Sequence, residues 1–387
     1  MSIITLTTTD ALAAFCSRAR SHPYVTIDTE FLRERTYYSK LCLLQMAIPE
    51  DGDDSAVLVD PLADGMSLAP LYDLFRDTGV VKVFHAARQD LEIFFFDGKC
   101  FPQPLFDTQV AAMVCGFGEQ VAYETLVKRI ARAPLDKSSR FTDWSRRPLS
   151  DAQKTYALAD VTYLRQIYDS LSASLDKHGR RKWVEEEIEV LTNPDTYVVK
   201  PAEAWKRVKT RTSSARFMAV MAKLAEFRES YAQARDVPRS RVYKDDALIE
   251  IASARPADAG DLGKLRLLLR DARKGEIADG ILKAVAEGNA MDPADAPQPD
   301  RSREKLDVNP ALADLLRVLL KAKSESAGVA QKLVASAADL DLIAAGERDV
   351  PALRGWRHEV FGQDALRLCN GEIALTVQGQ DVGIIPL

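Results

Sequence analysis

Three observations predict an α/β amino-terminal domain followed by two small all-α domains. Up to about Asp107, short β-branched runs alternate with helical stretches, which is typical of a mixed sheet flanked by helices. Strand-like runs then vanish almost to the C-terminus, and helical periodicity replaces them. The chain has 387 residues, which is too long for one ordinary core. The sequence therefore predicts several domains of two structural classes.

The strand signal of the first domain lies in five runs. Each is short and rich in β-branched or apolar residues: 24–28, 41–47, 57–59, 80–84 and 105–106. A capping box at Ser150 and Gln153 predicts the start of a long helix that passes through Tyr156 and Asp160. Asn193 and Pro194 predict a break, so we expect the first domain to end near residue 195.

The remaining chain divides by its turn and linker signals. Pro- and Ala-rich sequence between two helical groups of similar size predicts a linker, and the rhythm of the two groups suggests a duplicated module. The expected segments are 1–195 for the α/β domain, 203–284 for the first helical domain, 285–304 for the linker, 305–372 for the second helical domain and 373–387 for a C-terminal hairpin.

Composition excludes several classes of protein. Hydrophobic residues make up 47% and charged residues 28%, which is the balance of a soluble globular protein. No apolar run reaches bilayer length, and the first ten residues carry no export signal, so we expect a cytoplasmic protein without a membrane partner. The five cysteines are widely spaced and match neither a disulfide framework nor a zinc site.

The net charge is −5, which at first argues against a nucleic-acid partner. One stretch after Pro201 is nevertheless locally basic, with the cations Lys206, Arg207, Lys209 and Arg211. Such a cluster could contact phosphates, and an ordinary solvated charged face explains it equally well.

Asp28 and Glu30 are the first candidates for chemistry. Residues two apart on a strand point to one face, so the two carboxylates would project together, and hard oxygen ligands suit magnesium or manganese. With acids at 57 of 387 positions, an acid-x-acid pattern arises by chance roughly eight times. The pair follows an apolar run and precedes Phe31, where unpaired charge is costly. This position favours a metal site over a solvated strand edge.

Asp90 and His85 lie where a buried-looking strand gives way to a helix. Sites in α/β proteins are usually built at that edge of the sheet. Taken alone, Asp90 could simply cap the start of a helix, where acids are favoured. His85 could likewise be an ordinary histidine at the end of a strand. We keep His85 as a possible substrate contact.

Tyr156 and Asp160 lie four residues apart on the predicted long helix, so they share a face. The same spacing is common on amphipathic helices with tyrosine in the core and aspartate in water. What favours a site is the ordered occurrence of all three elements, each with the geometry that a two-metal centre needs.

These three elements resemble the motifs of the 3′-to-5′ exonucleases that share four acidic metal ligands, in the subclass with a tyrosine in the third motif. Within that superfamily the likeness to the ribonuclease D family is close. The resemblance rests on the segments 28–31, 85–91 and 156–161, and the segments 143–149 and 355–357 also fit. It implies a ribonuclease H-like α/β domain. The helical groups behind it resemble helicase-and-ribonuclease-D C-terminal (HRDC) domains, present twice.

The resemblance implies hydrolysis of phosphodiester bonds with two divalent cations, Mg²⁺ or Mn²⁺. Asp28 would bridge both cations, Glu30 and Asp160 would complete the site that binds the attacking water, and Asp90 would support the second cation. Tyr156 would orient the water, because a phenol is a poor base at neutral pH. The expected enzyme is a monomer that trims RNA with a free 3′ end, such as tRNA precursors, and releases nucleoside 5′-monophosphates.

Weaker candidates and other functions remain open. Phe31 and Gln45 are weak candidates for the pocket that holds the 3′-terminal nucleotide. A DNA exonuclease of the same fold would use identical metal chemistry, and nothing in the motifs reads the ribose 2′-hydroxyl. A non-catalytic RNA-binding scaffold is disfavoured because all four acids and the tyrosine are present. A phosphatase for small molecules would not need the helical domains.

Overall fold

The computed structural model describes residues 3–136, 139–140, 142–298 and 307–387. Residues 299–304 of the expected linker and 305–306 of the expected second helical domain lie outside the described residues. The fold class predicted from the sequence is confirmed: a mixed sheet with flanking helices forms the first part, and helices follow.

The central sheet has six strands in the order β1-β4-β3-β2-β5-β6. β1 is parallel to β4, β3 is antiparallel to β4, and β5 is parallel to both β2 and β6. The strands span β1 Ile4–Leu6, β2 Tyr24–Leu32, β3 Lys40–Ala47, β4 Ala56–Val59, β5 Val81–Phe84 and β6 Leu105–Asp107. The five predicted runs therefore fall on β2 to β6, and the mixed sheet places β2 beside β5.

Seven α-helices accompany this sheet in the described part of the chain. They span α1 Thr9–Ala19, α2 Ala69–Arg76, α3 Arg88–Gly98, α4 Thr108–Val114, α5 Tyr123–Leu126, α6 Asp151–His178 and α7 Arg181–Leu191, and a π-helical turn, Val127–Ala131, follows α5. The predicted capping box at the start of α6 is confirmed, with Ser150 and Gln153 satisfying each other's backbone groups. Buried residues on one side of α6, such as Leu164 and Leu171, pack into the same apolar core as Val83 and Phe106 of the sheet. This packing fixes the helix that carries Tyr156 and Asp160.

Helices make up the next part of the chain. They span α8 Ala215–Arg235, α9 Arg239–Val242, α10 Asp245–Ala254, α11 Ala259–Lys264 and α12 Gly275–Ala290, with 3₁₀ turns at Pro194–Thr196, Pro201–Arg207 and Asp271–Arg273. Their apolar faces enclose one core around Met221, Leu248 and Ile281.

A second helical group follows residue 307. It comprises α13 Pro310–Ala327, α14 Gln331–Val334, α15 Ala337–Ala344, a 3₁₀ turn Pro351–Leu353, α16 Gly355–Arg357, a π-helical turn His358–Gly362 and α17 Gln363–Cys369. Strands β7 Ile373–Gln378 and β8 Asp381–Pro386 then pair antiparallel around a tight turn. Ile373 at the start of β7 is buried in the core of this group, so the hairpin is attached to these helices.

The chain forms two compact units. The first unit contains 1–30, 42–192 and 302–387, and the second contains 31–41 and 193–301. The second helical group therefore belongs with the α/β core, although more than one hundred residues separate them in sequence. None of the helices in the described ranges is long and apolar enough to cross a membrane.

Within the first unit, α7 joins the core to the second helical group. Trp183 stacks on Trp356, with ring centroids 4.7 Å apart and planes 14° from parallel. Arg357 pairs with Glu187 at 2.5 Å. The Ala330 amide donates to the Met113 carbonyl at 3.0 Å. The Gly355-Trp356-Arg357 segment noted in the sequence thus anchors the last helices to α7.

Within the second unit, the segment after β2 packs on α8. The Tyr37 hydroxyl donates to the carboxylate of Glu229, which is 1% exposed. Arg239 pairs with the same carboxylate at 2.5 Å. The backbone amides of Tyr37 and Tyr38 both donate to Asp236 at 3.0 Å. A buried carboxylate thus has both an ionic and a phenolic partner.

Candidate active site

Strand β2 and helix α6 bring three carboxylates together. Asp28 and Glu30 are two apart on β2 and are both partly exposed. Asp160, in the third turn of α6, joins them. One carboxylate oxygen from each of the three residues lies within 4.8 Å of the other two. The strand spacing predicted that Asp28 and Glu30 share a face, and the ordered occurrence of the three elements predicted that Asp160 would join them.

Asp90 lies in the first turn of α3 and is only 6% exposed. The residue at the helix N-cap, Ala87, makes no side-chain capping bond. The Asp90 carboxylate accepts a hydrogen bond from the Thr29 hydroxyl, between the two acids of β2. Asp90 is therefore tied to the metal-site strand rather than serving only as a helix cap, although it is outside the group of three.

A carboxylate on β6 holds the turn that leads into α3. Asp107 accepts from the Ala86 amide at 3.0 Å and from the Ala87 amide at 2.9 Å, and from Gln109 at 2.7 Å at the start of α4. Ala86 has a φ of 57°, a left-handed conformation that costs energy for a residue other than glycine. The Asp107 bonds compensate for this cost and set the direction in which Asp90 enters the site.

Burial raises the pKa values of all four acids, and repulsion between carboxylates adds to this for Asp28, Glu30 and Asp90. Burial and the nearby Asp160 raise the pKa of Asp28 well above its usual range. Burial, with Asp28 adding, raises the pKa of Glu30 to about 10. For Asp160, burial raises the pKa to about 7 against the opposing hydrogen bond from Tyr156. Burial and Asp28 likewise raise the pKa of Asp90.

This donor set fits a divalent cation. Crowded carboxylates with raised pKa values repel one another when ionised, and a bound cation would remove that repulsion. Carboxylate oxygens are the ligands that Mg²⁺ and Mn²⁺ prefer. Asp28, Glu30 and Asp160 could hold one cation directly. Asp90, on the adjacent helix α3, could supply a further carboxylate ligand.

Tyr156 and Asp160 share one face of α6, and Tyr156 lowers the pKa of the Asp160 carboxyl against the effect of burial. The Tyr156 ring lies 6.0 Å from that of the buried Trp144. Burial, followed by the charge of Asp160, raises the pKa of the phenol. Tyr156 therefore keeps its proton at neutral pH and can donate but not abstract.

A cavity of about 210 Å³ opens beside these residues. Among its lining residues are Asp28, Tyr156 and Asp160, together with His85. The His85 Nδ1 lies 3.0 Å from the Thr108 hydroxyl, and burial lowers the pKa of the imidazole. His85 thus lies beside the acids, and a substrate contact remains a prediction for it.

Several residues that line the cavity were missed from the sequence, Tyr123 and Arg140 among them. Tyr123 lines it and donates to the Ala159 carbonyl at 3.0 Å. Arg140 also lines it, and its charge lowers the pKa values of Glu30, Asp160 and Tyr156. Both residues come from segments without a periodic pattern, so no local signal in the sequence connects them with the acids.

The other predicted substrate residues lie outside this cavity. Gln45 is 0% exposed on β3, so the prediction that it lines the 3′-terminal pocket is wrong: a fully enclosed amide cannot reach RNA. Phe31 follows Glu30 at the end of β2 and is partly exposed, and its role stays a prediction. Lys206, Arg207, Lys209 and Arg211 are solvent-accessible on or just after the 3₁₀ turn at Pro201–Arg207, where Lys206 pairs with Glu203 at 3.1 Å.

Known proteins share the sequence features that build this site. A family model described as 3′-5′ exonuclease matches residues 3–176, and one described as HRDC domain matches residues 217–285. Ribonuclease D of Jannaschia sp. strain CCS1 is 65% identical over 381 residues, which cover 98% of this chain and 99% of that protein. Ribonuclease D of Granulibacter bethesdensis is 49% identical over 382 residues, covering 98% and 96%.

A solved structure agrees with these relatives. The crystal structure of Escherichia coli RNase D, described as an exoribonuclease involved in structured RNA processing, superposes with a TM-score of 0.83 at 29% identity. The match covers 96% of this chain and 99% of that one. The chain belongs to the ribonuclease D family of 3′-to-5′ exoribonucleases.

Proposed function

We propose that the chain trims the 3′ ends of structured RNA such as tRNA precursors and releases nucleoside 5′-monophosphates. One observation carries the chemistry: oxygens of Asp28, Glu30 and Asp160 lie within 4.8 Å of one another beside an open cavity. Family membership supports a 3′ end as the point of attack. The description of the Escherichia coli relative supports structured RNA as the substrate class.

The proposed cofactors are two divalent cations, Mg²⁺ or Mn²⁺. Asp28 would contact both, Glu30 and Asp160 would hold one, and Asp90 would support the other. When bound, such a pair activates a water and stabilises the leaving 3′ oxygen. Thr29 supports the arrangement because its hydroxyl fixes the Asp90 carboxylate.

Tyr156 is assigned the task of orienting the attacking water. Its raised pKa keeps the phenol protonated, so it can donate a hydrogen bond and cannot act as a general base. Tyr156 and Asp160 both line the cavity, which places the phenol beside the candidate metal ligands. Arg140 and His85 line the same cavity, where we assign them contacts with the phosphate and the terminal nucleotide.

The two helical groups are proposed to be copies of one RNA-holding module. Each begins with a long helix, α8 of 21 residues and α13 of 18, followed by a four-residue helix, α9 or α14. A medium helix, a 3₁₀ turn and a closing helical stretch complete both groups. The second group lacks an equivalent of α11 in its described residues. The exposed cations Lys206 to Arg211 are proposed to contact phosphates next to the first group.

The decisive experiment uses a tRNA with extra 3′ nucleotides and purified full-length protein. We expect shortening with Mg²⁺, no shortening with EDTA, and 5′-monophosphates as products. Asp28→Asn, which keeps the size of the side chain, should abolish trimming while the protein stays folded by circular dichroism. Persistent trimming by Asp28→Asn would overturn the proposed site.

Two controls separate the substrate from the chemistry. A DNA oligonucleotide matched to a single-stranded RNA tests selectivity, and faster cleavage of the DNA would overturn the RNA assignment while leaving the metal site intact. The cytoplasmic location and the monomeric state expected from the sequence are tested by cell fractionation and by light scattering of the purified protein.

A further inference from the structure

The segment between α11 and α12 presents leucine and arginine side chains to solvent together. Leu267 is 55% exposed and Leu269 is 49% exposed. Arg266 and Arg270 flank them and are also exposed. Residues 264–274 carry five cations against the single acid Asp271, a net charge of +4, in a chain whose total is −5. We call residues 264–274 the Leu-Arg loop.

The Leu-Arg loop is held firmly although it has little regular structure. Leu265 and Leu268 point inward and are 6% and 2% exposed. The Arg273 guanidinium donates to the carbonyls of both, at 2.5 Å and 2.9 Å, and to that of Gly263 at 3.1 Å. Two buried leucines and the Arg273 guanidinium therefore hold this loop in one conformation.

A carboxylate fixes the loop from the other side. Glu250 of α10 accepts from the backbone amides of Arg266 and Leu267 at 2.9 Å and 2.8 Å. Because this acid is occupied with backbone amides, it does not pair with the Arg266 guanidinium. Among the described residues, Arg266, Arg270 and Lys274 form no ion pair, whereas Lys264 pairs with Asp261 at 2.8 Å.

We propose that the Leu-Arg loop is an RNA-binding surface, in which Arg266 and Arg270 contact phosphates and Leu267 and Leu269 pack on unstacked bases or sugars. Charge complementarity selects the occupant, since a net charge of +4 in eleven residues suits a polyanion. Exposed neighbouring leucines mark an interaction surface, and single-stranded RNA offers apolar faces between its phosphates. The proposal rests on the proposed function, since it assumes RNA as substrate.

Two pairs of substitutions separate the contributions. In full-length protein carrying Asp28→Asn to prevent turnover, fluorescence anisotropy with a single-stranded RNA measures the dissociation constant between 50 and 300 mM salt, roughly the range where phosphate contacts dominate. Arg266→Gln with Arg270→Gln removes two phosphate contacts, so the slope of log affinity against log salt should become shallower by about 1.4. Leu267→Ser with Leu269→Ser should weaken binding at every salt concentration and leave the slope unchanged.

Matched controls come from elsewhere in the chain. Lys283→Gln removes an exposed cation of α12, and Leu315→Ser removes a leucine of α13 that is 46% exposed. Both should leave affinity and slope unchanged. All four loop side chains are exposed, so the melting temperature should stay within about 2 °C of the parent protein, as for ordinary surface substitutions.

The outcomes distinguish this proposal from the proposed function. The parent protein and the loop variants could bind RNA equally well, with the same dependence of log affinity on log salt. That result would overturn the Leu-Arg loop proposal and leave the exonuclease assignment standing. The same result would leave a protein partner as the occupant. If wild-type protein neither binds nor trims RNA, the proposed function itself fails.

Discussion

The Thr29 hydroxyl donates a hydrogen bond to the Asp90 carboxylate and so connects the strand that carries Asp28 and Glu30 to helix α3. Thr29→Val keeps the shape of the side chain and removes the donor. Loss of a residue that orients a metal ligand typically costs about 10–100-fold in metal affinity or activity. We expect activity at low Mg²⁺ to fall by that factor and to recover partly at high Mg²⁺.

Thr29→Ser is the matched control, since it keeps the hydroxyl. A titration of activity against Mg²⁺ should show wild-type behaviour for Thr29→Ser and a rightward shift for Thr29→Val. Equal curves for the two variants would show that the bond is dispensable.

Asp28→Asn should stabilise the metal-free protein. Burial and Asp160 raise the pKa of Asp28 in the folded state, so its contribution to stability is complete at low pH and is lost as pH rises above the unfolded value. At pH 8 a neutral amide removes this penalty, and we expect the melting temperature in EDTA to rise by about 2–4 °C, as for roughly 1 kcal/mol in a domain of this size.

The same substitution should abolish the stabilisation that wild-type protein gains from Mg²⁺. Differential scanning calorimetry at pH 5 and pH 8, with and without Mg²⁺, checks both statements. A lower melting temperature for metal-free Asp28→Asn at pH 8 would contradict the electrostatic account of the site.

Metal affinity should increase with pH. Glu30 and Asp160 have pKa values raised to about 10 and about 7, so near neutral pH Glu30 is protonated and Asp160 is protonated in part, and a cation must displace these protons. Each displaced proton changes the apparent affinity by up to about tenfold per pH unit below the pKa. The apparent dissociation constant for Mg²⁺ should therefore fall between pH 6 and pH 8. Isothermal titration calorimetry in two buffers of different ionisation enthalpy measures both this constant and the release of protons. A buffer-independent heat would mean that no proton leaves.

Trp356→Ala should weaken the attachment of the last helices to α7. The ring is 2% exposed and stacks on Trp183, so truncation leaves a large cavity at a cost of about 3–5 kcal/mol. Trp356→Phe keeps an aromatic ring and should lose less. Urea unfolding followed by circular dichroism gives the comparison, and limited proteolysis should cut Trp356→Ala first between α13 and α17.

Arg239→Ala should destabilise the second unit more than removal of the whole ion pair. Glu229 is 1% exposed, and Arg239 is its ionic partner, so the single change leaves a buried charge with only the Tyr37 hydroxyl and costs about 3–5 kcal/mol. The double change Arg239→Met with Glu229→Leu replaces the pair by apolar side chains and should recover much of that loss. A double-mutant cycle by urea unfolding measures the coupling, and additive effects would contradict it.

The strand and helix periods placed four site residues on shared faces, and the ordered occurrence of the motifs linked these faces into one predicted site. The two-residue repeat of β2 and the four-residue repeat of α6 depend only on local geometry, so Asp28, Glu30, Tyr156 and Asp160 could be placed on faces before any tertiary contact was known. The fold class followed from the same periodicities, because alternating strands and helices leave few ways to bury both.

Residues positioned by tertiary contacts could not be predicted in this way. Arg140 and Tyr123 reach the cavity from segments without periodicity, and nothing in the sequence indicated that Thr29 would bond to Asp90. Gln45 was a weak candidate for the substrate pocket, yet strand β3 is buried around it and encloses it. The Leu-Arg loop also could not be predicted, because the sequence does not show which of its leucines are exposed.

The Trp183–Trp356 stack has a consequence for synthesis of the chain. The ribosome releases the α/β core first, and about 170 residues of further translation separate Trp183 from the ring that covers it. Until then the Trp183 indole and the Glu187 carboxylate of α7 lack the partners that they have in the finished chain, and exposed apolar surface of this kind promotes aggregation. The length of the inserted helical segment therefore sets how long this face of α7 stays without Trp356 during synthesis.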